Sequence, residues 1–168
     1  MEKALVEYFR AEKAGSLLLL AWGFCGLLAG GFMLSNLEGE VWKGAAAPVL
    51  ALAAIHMLVG GVVLIRTAPQ VGKLLSQLRT TPRAMLDEEL PRIEKVLANF
   101  EKYKMAESLL FFLGFAFLLG GAFAGLGDYM LGAGLGSCLQ AGFTLAFDLF
   151  ASLRAGLYQH ELKTFERS

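Results

Sequence analysis

Two ionisable side chains, His56 and Asp148, lie inside long apolar runs, and any chemistry in this chain would start there. An ionisable group in a membrane-spanning helix costs about 2.5–3.5 kcal/mol on the insertion scale, so it needs a reason. Gln140, Thr144, Asp148 and Ser152 follow one another at four-residue steps. Four residues advance a helix by about 400°, which makes successive members neighbours on one slowly winding ridge. Gln140 falls at about the depth of His56. The expectation is a His56–Gln140 contact with Thr144 and Asp148 beneath it, a polar seam opening towards the charged side of the protein. Arg66 or Arg154 would reach Asp148 by bending a long side chain in from the interface.

Two chemistries fit this seam. Histidine titrates near neutral pH and aspartate supplies a fixed charge, the ingredients of a proton or ion path. The alternative is interhelical hydrogen bonding that only fixes which helices meet, at about 0.6 kcal/mol per contact. A path needs polar groups in both leaflets. Above His56 there are only Ser137 and Cys138 in one run and mostly Ala and Gly in the other. A dry half does not conduct, so the packing role is preferred.

Nothing else in the chain carries a catalytic signature. There is no P-loop, HExxH or GxSxG motif. Cys25 and Cys138 lie in apolar runs without a CxxC or a cysteine–histidine cluster, so each reads as a small hydrophobe, with neither zinc nor a disulfide indicated. His160, beside Glu161, reads as solvated. Glu88 and Glu89, just before Pro91, read as acids at a helix start rather than an acid–base pair. No enzyme activity, cofactor or metal site is expected.

The elements that must position the seam follow from composition. Of 168 residues, 56% are hydrophobic and 18% charged, below the roughly 25% charge of a soluble domain. Basic and acidic side chains balance at 15 each, so no global field recruits nucleic acid. A helix crosses a bilayer with about 20 apolar residues. Four stretches qualify: 14–34, 44–65, 108–126 and 130–153. The first is too long for a signal-peptide core and lacks a small-x-small cleavage site, so it is expected to stay in the mature protein.

Of the 15 basic residues, 14 lie in the N-terminal segment, the 66–106 loop and the 154–168 tail, against Lys43 alone on the other side. The positive-inside rule then places both termini and the long loop in the cytoplasm, as in an inner-type membrane. Trp42 and Tyr129 fall where aromatic residues favour the outer interface.

The cytoplasmic segments are patterned. Val71, Leu74, Leu75 and Leu78 keep one helical face, Thr80-Thr81-Pro82 breaks it, and Ile93, Val96, Leu97, Phe100 and Tyr103 resume it. Leu5 and Phe9, and Tyr158, Leu162 and Phe165, fall on similar faces in the 1–13 segment and the tail. Acids are mixed through these segments, and the 66–106 loop carries eight basic and five acidic residues. Packing into a small bundle is therefore favoured over lying on anionic lipid.

Gly23–Phe32 matches Gly114–Phe123 at six of ten positions, and Arg66 and Arg154 both end a returning span. The fold class expected is all-α: a polytopic membrane protein with four transmembrane helices, in two parallel-repeat hairpins with cytoplasmic helical extensions. Parallel repeats lack the inverted symmetry of many alternating-access carriers. Gly26/Gly30, Gly121/Gly125 and Gly132/Gly136 each fit GxxxG, which permits close helix packing. Packing within one chain is favoured over formation of a homo-oligomer.

In its four spans, short outer loops and cytoplasmic termini, the whole chain resembles small four-pass bacterial immunity proteins that guard an inner membrane against pore-forming or depolarising toxins. The resemblance rests on architecture and transfers no residue. It implies a non-enzymatic protein surrounded by membrane lipid that meets a partner, a cognate toxin, in the bilayer. The alternatives are a small proton- or ion-coupled transporter or channel subunit using His56 and Asp148, and an accessory subunit of a membrane complex.

Overall fold

The computed structural model describes residues 1–167, which form four long helices. They are α1 (Glu2–Asn36), α2 (Glu40–Thr80), α3 (Pro82–Phe123) and α4 (Asp128–Glu166). Each is long and apolar enough to cross a membrane. At 35 to 42 residues they run about 50–60 Å, roughly twice the hydrocarbon thickness of a bilayer. One end of the bundle, termed basal, carries the start of α1, the end of α4 and the α2–α3 turn. The other carries residues 37–39 and 124–127 and is called apical.

α2 ends at Thr80 and α3 starts at Pro82, where a missing N–H costs nothing and φ is preset. The helix expected to open near Pro91 therefore begins earlier. Pro91 lies inside α3, and Glu88 and Glu89 are not helix-start acids. Glu88 instead pairs with Lys73 of α2, and Glu89 is buried.

α1 packs along α2 and α3 along α4, while α2 and α4 share the central contact. α1 touches α4 about as lightly as α3 touches α2. Bringing α2 and α4 together requires glycine. A Cβ on Gly132 would overlap the Val41 carbonyl oxygen, and a Cβ on Gly44 would overlap that of Tyr129. One turn on, Gly136 makes room for the ring of Pro48, which lies inside α2. These helices meet backbone to backbone, the close approach that association in lipid depends on.

The two contacts are reciprocal, because Gly44 and Gly132 are 88 residues apart, as are Val41 and Tyr129. The helix starts share the interval. Gly39 (φ 107°) precedes Glu40, and Gly127 (φ 88°) precedes Asp128. So do Leu74 and Leu162, both buried in the basal core. The match between α1 and α3 sits differently. Gly23 and Gly114 are 91 residues apart, but those helices end 87 apart, so the matched segments lie about one turn out of register.

The basal halves form a compact bundle. Leu5, Tyr8 and Phe9 of α1 pack with Leu74, Met85, Leu86, Ile93, Ala155, Tyr158 and Leu162. Tyr8 stacks on Tyr158 with ring centroids 4.4 Å apart. Inside this core, Arg92 holds Glu89 through two bonds, Nε to Oε2 at 2.7 Å and Nη2 to Oε1 at 2.6 Å. The guanidinium lies 5.4 Å from the Phe9 ring centroid. Burial opposes its charge, but the Glu89 hydrogen bonds and field outweigh that and hold Arg92 charged. Burial, together with the Glu12 charge, pushes the Tyr8 hydroxyl up to about 12. Burial and then the Glu89 carboxylate raise Tyr158 as well.

Candidate functional site

The polar groups of the apolar halves converge where α1, α2 and α4 meet. His56 and Gln140 are 3% and 2% exposed, within the range of the core leucines. They do not touch in the way their depth implied. His56 Nε2 lies 2.9 Å from Thr144 Oγ1, and Gln140 Oε1 accepts from the Trp22 indole N–H at 2.7 Å. The cause is geometric. Gln140 is turned towards α1, where Gly26 leaves space beside its Nε2, and Thr144, one turn on, faces α2.

The Thr144 hydroxyl also donates to the Gln140 backbone carbonyl at 2.8 Å. Its single hydrogen is then committed, so it must accept from His56, and Nε2 carries the imidazole proton. Nδ1 is left as the lone-pair nitrogen, buried and without a partner among the described residues. Phe143 closes the site, stacked on Trp22 at 4.1 Å and edge-on to His56 at 6.1 Å.

Towards the basal side, Asp148 meets neither arginine proposed for it. Arg66 pairs with Glu12 at 3.1 Å, Thr67 donates to the same carboxylate at 3.0 Å, and Arg154 lies over Gly15. Asp148 instead faces Glu107 of α3 at hydrogen-bonding range, with Lys104 nearby. On the apical side the α2–α4 seam is lined by Gly44, Ala45, Ala46, Val49, Gly132 and Gly136, with Ser137 turned towards Gly114 of α3. The polar seam therefore ends at His56 and Gln140.

The glycine ridges are spent inside the chain. Gly26 lies against Ala53 and Gly30 against Leu50 on α2, while Gly121 lies against Leu131. Gly125 departs from the expected ridge. It sits in the α3–α4 loop with φ 72° and nothing near its missing side chain, so it serves the turn rather than packing. Cys138 Sγ sits 3.5 Å from the Phe111 carbonyl, and Cys25 is exposed on an apolar face. Among the described residues, no three His, Cys, Asp or Glu side chains group as metal ligands.

Trp22 and Glu107 stand outside the seam expected from the sequence. Trp22 carried a usable signal, because an indole N–H in an apolar run must find an acceptor. Glu107 stands at the first turn of an apolar run and faces Asp148 only through the α3–α4 packing. Glu89, which reads in the sequence as a helix-start acid, is instead buried in the basal core. No family model, curated protein or solved structure matches the chain.

Proposed function

We propose that this is a non-enzymatic, four-pass protein of the bacterial inner membrane that binds a protein partner within the bilayer. The partner that best suits it is a membrane-acting toxin, which it neutralises as an immunity protein. The observation that carries this reading is the blind seam: polar side chains reach from Asp148 to Gln140 and stop against backbone-tight glycine and alanine. A bundle closed in this way offers no through-path, and what it offers the membrane is apolar flank. Leu109, Phe112 and Phe123 of α3 are exposed along one such flank.

The basic residues that the positive-inside rule counts lie at the basal end, supporting cytoplasmic termini. The 88-residue interval and the reciprocal Gly44–Tyr129 and Gly132–Val41 contacts support two hairpins related by duplication. The test is genetic. A strain lacking the gene, co-cultured with its wild-type siblings, should depolarise and be outcompeted, and complementation should restore it. Indifference of the deletion strain would overturn the immunity reading.

A proton- or ion-coupled role is the second reading, favoured by the open His56 Nδ1 and by the Asp148–Glu107 pair. It requires proteoliposome flux that His56→Ala or Asp148→Asn abolishes while the protein stays folded.

A further inference from the structure

The two arginines that close the apolar halves of α2 and α4 are treated differently by the fold. Arg66 is neutralised by Glu12 at 3.1 Å. Arg154, 88 residues on, has no hydrogen bond or ion pair among the described residues. Its Nη2 crosses towards α1, to 3.6 Å from where a Gly15 Cβ would stand. Beneath it opens a groove of about 560 Å³ between α1 and α4, with Arg154, Leu157, Lys3 and His160 in its walls. Phe150, Leu153 and Leu157, at 66%, 65% and 70% exposure, continue an apolar surface from the apolar half of α4 past the arginine.

A half-buried guanidinium at the level where a helix leaves the bilayer needs an anion, and its planar fork matches a phosphate with two bonds. Basic pockets between helices on the cytoplasmic side are where headgroups of anionic lipids settle. We propose that Arg154 and this groove hold the phosphate of an anionic phospholipid, with an acyl chain lying along Phe150 and Leu153. The groove also carries Glu7 and Glu161, one to two turns further from the membrane than Arg154, and these limit how much negative charge it accepts. Glu7 is matched by Lys3 at 3.9 Å.

This site rests on the reading that the four helices cross a membrane, and the test separates the two. The full-length protein is reconstituted in vesicles of equal phosphatidylglycerol and phosphatidylcholine, extracted mildly, and its retained lipid read by native mass spectrometry. Wild type should retain phosphatidylglycerol several-fold over phosphatidylcholine. Arg154→Gln should bring the ratio close to one, Arg154→Lys should keep some of the preference, and Arg66→Gln should keep it all. Glu7→Gln with Glu161→Gln should raise it, an arm that does not depend on the arginine variants folding. Equal retention by wild type and Arg154→Gln, or no preference in wild type, overturns the lipid site while leaving the spans in place. Failure of the wild-type protein to enter vesicles overturns both.

Discussion

Nε2 of His56 on α2 lies 2.9 Å from Oγ1 of Thr144 on α4, and the two residues stand 88 apart, the interval that separates the starts of their helices. The hydrogen bond thus joins equivalent positions on the two central helices. Apically, the same helices touch through Gly44 and Gly132, again equivalent to one another. One polar contact and a reciprocal pair of backbone contacts hold α2 against α4.

The tautomer follows from the Thr144 donation to Gln140 and is directly observable. In protein labelled at histidine nitrogen and carrying His160→Gln, magnetic resonance should report a single neutral imidazole protonated at Nε2. Thr144→Val should shift that population and cost about 0.6–2 kcal/mol, the range for hydrogen bonds between helices in lipid. A wild-type imidazole protonated at Nδ1 would contradict the assignment.

The α2–α4 contact should be unforgiving at one glycine and indifferent at another. Gly132→Leu must force the α2 and α4 backbones apart, so the melting temperature in detergent should fall by an amount equivalent to about 2 kcal/mol or more, as for an overpacked core. Gly61→Ala, which meets nothing within 4 Å, should hold or gain up to about 1 kcal/mol through helix propensity.

Glu89 and Arg92 form a pair whose halves should not be separable. Glu89→Gln leaves a buried guanidinium uncompensated and should cost about 3–5 kcal/mol. Replacing both, Glu89→Leu with Arg92→Met, should recover most of that loss, because well-packed apolar groups can substitute for a buried ion pair. Denaturant unfolding of the single and double variants measures the difference.

Alkaline pH should loosen the basal bundle through Tyr8. Its hydroxyl ionises near 10 when unfolded and at about 12 in the fold, so between those values the folded state holds the proton longer. Stability attributable to this group is intact below pH 10 and is lost as pH rises to 12, by about 2–3 kcal/mol. Tyr158 acts in the same direction. Unfolding midpoints followed across that window should show a shallower fall in Tyr8→Phe than in wild type.

Much of the architecture is written along the chain because it depends on local period and hydropathy. Apolar runs long enough to cross a bilayer demand helices, since only a helix satisfies its own backbone there. The Thr80-Thr81-Pro82 break and the helical faces around Leu74 and Ile93 are local facts of the same kind. Which polar group meets which is not local. His56 and Gln140 share a depth, but 140 and 144 differ in direction by about 40° around α4, and that rotation sends one to Trp22 and the other to His56. Glu107 against Asp148, Glu89 under the basal core, and the pairing of Arg66 but not Arg154 arise only when helices distant in sequence are laid side by side. Hydropathy sets how deep a side chain sits, and the rotation of each packed helix about its axis decides what that side chain faces.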